Sequence, residues 1–119
     1  MIIHNPIQKV SPFRLIISTE PMGEPCIACP VCGKPWVHIV SCAVAMNHTT
    51  VIAERDDATV IRTTKDSPRR GSRIEIKFVG ECHHQFTYTF SFHKGNTFTE
   101  LIDVADVPPG KFPACLWRD

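Results

Sequence analysis

Residues 73–93 read RIEIKFVGECHHQFTYTFSFH, two alternating apolar runs joined by a short polar turn. Ile74, Ile76 and Phe78 alternate with Arg73, Glu75 and Lys77, which is the period of a strand with one face buried. Phe86, Tyr88, Phe90 and Phe92 then alternate with Thr87, Thr89, Ser91 and His93. Between the two runs lies only GECHH (80–84), so a tight connection makes them an antiparallel hairpin with Cys82 and the histidines at its tip.

Outward from this hairpin the chain keeps reading as β. WVHIVSCAVAM (36–46) is apolar on both faces, as expected of a central strand. VIAE (51–54) and TVIRT (59–63) flank RDDA and predict an outer hairpin, while KDSPRRGS (65–72) reads as a loop broken by Pro68 and Gly71. Residues 1–25, with four of the ten prolines, read as an arm holding one strand at FRLIIS (13–18). The domain proper is expected over 26–98. Residues 99–119 are expected to be a tail packing on it or extending from it, irregular over VPPGKFPACLWRD (107–119). The fold class expected is all-β and mainly antiparallel: a core of about three strands with an added hairpin.

At 119 residues the chain has the length of one domain. Hydrophobic and charged shares of 43% and 21% are those of an ordinary globular protein. A net charge of +1 gives no global reason to expect an anionic partner. No run reaches the roughly 20 apolar residues of a membrane-spanning helix. The first residues lack a basic region followed by an apolar run of signal-peptide length, so a cytoplasmic location is expected. In a reducing compartment, six cysteines are better explained as metal ligands, buried hydrophobes or reactive thiols than as a disulfide framework.

Three of those cysteines fall within CIACPVC (26–32). CPVCG (29–33) has the form of a zinc knuckle: two thiolates on a tight turn, stiffened by Pro30 and allowed to close by Gly33. One knuckle supplies half a tetrahedral shell, and the Cys82/His84 turn is the candidate for the other half. The expected ligand set is therefore Cys29, Cys32, Cys82 and His84, with structural Zn2+. Three alternatives stay open: Cys26 in place of Cys32, and either His83 or His38 as the nitrogen ligand. Cys42 and Cys115 read as packing residues or free thiols. His93, Lys94 and Asn96 read either as an anion-binding edge or as a plain turn around Gly95. Arg69, Arg70 and Arg73 form a local basic patch, a feature that is usually a solvated face.

The segments CPVCGKPWVHI (29–39), RGSRIEIKFVGECHHQFTYTF (70–90) and HKGNTF (93–98) resemble a group of uncharacterised bacterial and phage-borne zinc-ribbon-like proteins. These share a CPxCG knuckle, a V-H strand, a later Cys/His turn and an H-K-G-x-T ending. The resemblance spans roughly residues 29–98 and implies a zinc-ribbon core, with no activity attached. This chain departs from the pattern in its shortened Cys-His-His turn.

Enzymatic readings fare less well. PCIAC (25–29) matches half of the zinc deaminase signature, yet no upstream His-x-Glu supplies the proton-shuttling carboxylate. A His-Asn-His nuclease needs a helix after its hairpin, where this chain has an alternating strand. The expected function is a non-catalytic zinc-binding module that engages a protein or nucleic-acid partner. The alternative is a small zinc-dependent hydrolase with an open, histidine-rich metal.

Overall fold

The structure is a computed structural model that describes residues 17–19, 22–63 and 72–117. Among these residues eight strands follow one another: β1 Ile17–Ser18, β2 Cys26–Ile27, β3 Val37–Ala45, β4 Thr49–Glu54, β5 Asp57–Arg62, β6 Arg73–Gly80, β7 His84–His93 and β8 Asn96–Asp106. The fold is all-β and antiparallel. β3 to β8 form one six-stranded sheet in the order β5-β4-β3-β6-β7-β8, and β1 pairs with β2 separately. Of the FRLIIS strand, only Ile17 and Ser18 fall among the described residues.

The predicted central hairpin is β6–β7, with Ile74 opposite Phe90, Ile76 opposite Tyr88 and Phe78 opposite Phe86. Its apolar residues therefore meet as direct cross-strand pairs on one face, where aromatic and β-branched partners stabilise a sheet most. Phe78 and Phe86 stack with ring centroids 5.3 Å apart, and Tyr88 meets both edge-on. Cys29 and Leu101 complete this buried cluster, and Ile27, Val31, Val37 and Ile39 pack around it. The core thus lies between one end of the sheet and the segment that carries the first cysteine pair.

The sheet does not end near residue 98, where the sequence pattern places the start of the tail: β8 continues to Asp106. Its alternation is hidden by a bulge. Gln85 pairs with Ala105 but Thr87 pairs with Ile102, so β8 carries one extra residue there, and Asp103 adopts a positive φ of 55°. The bulge switches which side chains face the core. Leu101 joins the Tyr88 face before it, and Asp106 faces the same way as His84 after it.

β3 also bulges, between Ile39 and Ser41. Its first half runs past the end of β4, which pairs only from Cys42 onward. The irregular tail returns to this edge, where the Leu116 N–H donates to the Ile39 carbonyl at 2.9 Å. Covering an open strand edge in this way removes a template for unwanted pairing. The turn between β7 and β8 is the two residues Lys94 and Gly95, with φ of 51° and 83°, closed by the His93–Asn96 pair. Two consecutive positive φ values are those of a type I′ hairpin turn, which matches the right-handed twist of the flanking strands.

Candidate metal centre

Two turns from distant parts of the chain meet at the core end of the sheet. The first is formed by residues 29–32. The Gly33 N–H donates to the Cys29 carbonyl at 2.8 Å, and the Cys29 N–H donates to the Lys34 carbonyl at 2.9 Å. Gly33 takes a φ of 76°, a conformation that costs an L side chain energy and leaves glycine free. The knuckle is thereby folded back under both sulfurs.

The second turn joins β6 to β7. The Glu81 N–H donates to the Trp36 carbonyl at 2.8 Å, and the His83 N–H donates to the Gly80 carbonyl at 2.9 Å. His83 sits at a φ of 65°, which turns the chain so that His84 begins β7 facing the first knuckle. Gly80 is required for a spatial reason. A Cβ at that position would lie 2.7 Å from the Cys82 sulfur and 3.6 Å from a Val37 methyl carbon.

The four donor atoms of Cys29, Cys32, Cys82 and His84 all lie within 4.8 Å of one another, the one such group among the described residues. The Cys29 Sγ and His84 Nδ1 are 3.5 Å apart. In a tetrahedral zinc shell with bonds near 2.3 Å, ligand atoms sit about 3.8 Å apart. The group therefore needs only a small contraction to close on one ion, and three sulfurs with one nitrogen are a donor set that suits zinc.

A carboxylate orients the histidine from behind. His84 Nδ1 faces the sulfurs while Nε2 lies 3.4 Å from Asp106 Oδ1. His84 and Asp106 are direct cross-strand partners, so the register after the β8 bulge delivers that carboxylate. In the tautomer that carries its proton on Nε2, the atom nearer Asp106, the lone pair is on Nδ1, the atom facing the cluster. Partners of this kind fix the tautomer and ring orientation of a ligating histidine. Asp106 stands outside every sequence motif, because its role depends on pairing across strands.

The sulfurs are not electrostatically equivalent. Burial pushes the Cys29 thiol up to about 12, against hydrogen bonds from the backbone of Cys32 and Val31 that favour the thiolate. Burial also raises Cys82, opposed by the His84 backbone N–H. For Cys32 burial acts upward too, but it is outweighed by the Lys34 backbone N–H, hydrogen bonds with Cys82 and Cys29, and the Lys34 charge, so the net shift is downward. One sulfur is thus stabilised as thiolate by two that keep their protons, and a dication bound by all three displaces those protons.

The alternative ligands lie elsewhere. The Cys26 thiol donates to the Ser18 carbonyl at 3.4 Å, joining β2 to β1. The His83 ring is exposed and packs edge-on against Phe112 with centroids 5.6 Å apart. His38 Nε2 lies 3.0 Å from Glu81 Oε2, linking β3 to the second turn outside the donor group. Cys42 is half-buried in β3 between Ala53 and Ile76. The Cys115 thiol donates to the Pro113 carbonyl at 3.7 Å and is raised by burial, with the Arg55 charge acting the other way. His93, Lys94 and Asn96 belong to the type I′ turn and its closing pair. Arg73 is an ordered β6 residue whose guanidinium meets Glu75 at 2.9 Å, while Arg69 and Arg70 lie outside the described residues.

Among the described residues, no helix is long and apolar enough to cross a membrane. Comparison with protein-family models, with curated proteins and with solved structures finds no match to this chain.

Proposed function

We propose that this chain is a zinc-binding module in which Cys29, Cys32, Cys82 and His84 hold one structural Zn2+, and that it acts by binding a partner. The observation that carries the reading is the closure of the donor set. Four protein donors from two turns lie within 4.8 Å, one of them on the fully buried Cys29, and a fifth side chain orients the histidine. A shell filled by four protein ligands leaves no position for a reacting water, which separates a structural from a catalytic zinc.

The ion's role is to fasten the segment 26–34 onto the sheet. Cys29 is itself part of the core cluster with Phe78, Phe86, Tyr88 and Leu101, so coordination and apolar burial stabilise the same contact. The resemblance of 29–98 to zinc-ribbon-like proteins agrees with this role.

A binding rather than chemical task is supported by what surrounds the site. Trp36 and Trp117 are each 56% exposed and Phe112 is 42% exposed. Both Trp36 and Phe112 flank the second turn: the Trp36 backbone carbonyl accepts the Glu81 N–H, and the Phe112 ring meets the His83 ring edge-on. Exposed aromatic residues of this kind are enriched where proteins meet proteins.

Cobalt(II) substitution tests the site directly. The cobalt protein is expected to show the ligand-field and sulfur charge-transfer bands of a tetrahedral centre with three sulfur ligands and one nitrogen ligand. Those bands should change in Cys32→Ser and His84→Ala and persist in Cys26→Ser and His83→Ala. A spectrum that shifts on adding azide would mean an open coordination position, and with it the hydrolase reading. For the partner, an affinity for oligonucleotides that falls steeply with salt would assign nucleic acid in place of protein.

A further inference from the structure

The two outer strands of the sheet are unlike each other. β8 is bent by its bulge, carries Asp103 at a positive φ, and ends with the Val107 N–H donating to the His83 carbonyl. β5 at the opposite edge pairs with β4 from Asp57 to Arg62 without any bulge. Every β5 residue is exposed, including Val60 at 53% and Ile61 at 51%. An exposed, unbulged edge with β-branched residues and no proline is a template for adding another strand.

We propose that β5 is a self-association edge, on which β5 of a second copy of this chain pairs antiparallel about a twofold axis at Val60. This inference is independent of the metal reading. Glu54 pairs with Asp57 across the turn residues Arg55 and Asp56, so the backbone groups of Asp57, Thr59 and Ile61 point to β4. Those of Ala58, Val60 and Arg62 point away from the sheet. The Asp57 carboxylate accepts the Ala58 N–H at 2.9 Å, as expected for an outward amide at the start of the strand.

With Val60 on the axis, each Val60 N–H meets the Val60 carbonyl of the second copy, Ala58 lies opposite Arg62, and Thr59 lies opposite Ile61. Three features of the strand favour this arrangement. Asp57 stands at its start and Arg62 at its end, so an antiparallel partner sets the acidic end of one copy beside the basic end of the other where a parallel one sets like ends together, and the Asp56 carboxylate is already met by Arg55 at 3.8 Å. A net charge of +1 leaves little repulsion between copies. Finally, Val60, Val51, Val44, Ile74 and Phe90 are consecutive cross-strand partners, and pairing at Val60 continues that apolar row into the second sheet.

One strand edge buries less than the roughly 1,200 Å² of a standard interface, so the association is weak and depends on concentration. The test is sedimentation equilibrium of the full chain from about 5 to about 500 µM, with amide exchange at the two ends of that range. The expected result is a monomer–dimer equilibrium in which the Val60 and Arg62 amides gain protection at high concentration and the Thr99 amide on β8 does not. Val60→Lys, a surface change that places two ammonium groups at the axis, should weaken the dimer roughly tenfold or more while leaving the circular dichroism unchanged. Val60→Pro removes the axial N–H without removing a bond to β4 and should have the same effect. A chain that stays monomeric throughout, or a dimer that tolerates both substitutions, would overturn the proposal.

Discussion

The two ends of the sheet hold their residues by different means. At the end that carries the cysteine–histidine cluster, Cys29, Phe86 and Val79 are wholly buried, and Phe78, Tyr88, Leu101, Ala105 and Val107 are each at most 5% exposed. At the other end, the β4–β5 hairpin contains no fully buried residue, and β5 is exposed throughout. The hairpin is held by its ladder to β3 and by half-buried β4 side chains, whereas the fully buried side chains are gathered around the sulfurs. Stability in this protein is accordingly concentrated near the site, and local opening should begin at the hairpin.

Substitutions at the two ends should differ in cost accordingly. The largest effect is expected for Cys29→Ser, which removes a proposed ligand and a core residue together. The variant should lose stoichiometric zinc and its cooperative thermal transition, read by metal analysis and circular dichroism. Phe86→Ala should cost about 3–5 kcal/mol in chemical denaturation, because it empties a site flanked by Phe78 and Tyr88. Acidification comes next. The Cys29 and Cys82 thiols hold their protons more tightly than ordinary thiols, so an incoming ion must displace both. Zinc affinity in a competition titration should therefore fall at least roughly hundredfold per pH unit as pH is lowered through neutrality, and rise as pH increases.

Smaller effects probe the support of the site. Asp106→Ala should weaken zinc binding roughly 10- to 100-fold with the fold retained, since the His84 ring loses the partner that fixes its tautomer. At the far end, Val51→Ala should cost less than Phe86→Ala by about 2 kcal/mol or more, because the side chain it shortens is only half-buried. Equal costs at Val51 and Phe86 would remove the contrast between the two ends.

How far the sequence reveals this arrangement depends on the range of the interaction. The alternation of Ile74, Ile76 and Phe78 with Phe86, Tyr88 and Phe90 is local, and so the central hairpin and its apolar face can be read directly. CPVCG is local as well, since Pro30 and Gly33 announce the turn they make. β8 is hidden beyond residue 98 because Thr97 and Thr99 occupy its inner face early on and the bulge at Asp103 then breaks the period. Asp106 and Gly80 are invisible for a related reason. Asp106 acquires its role only through its register with His84, and Gly80 only through the space its missing Cβ leaves for the Cys82 sulfur. The choice between His83 and His84 rests on one backbone angle, the positive φ at His83, which adjacent identical residues cannot signal.

The most direct test of the central claim is amide exchange of the zinc-loaded chain before and after removal of the ion by a chelator. One zinc per chain is expected, and on its removal a collapse of protection at Val79, Phe86 and Tyr88 around the site. A chain that binds no zinc, or that keeps full protection at those amides once the ion is gone, would contradict it.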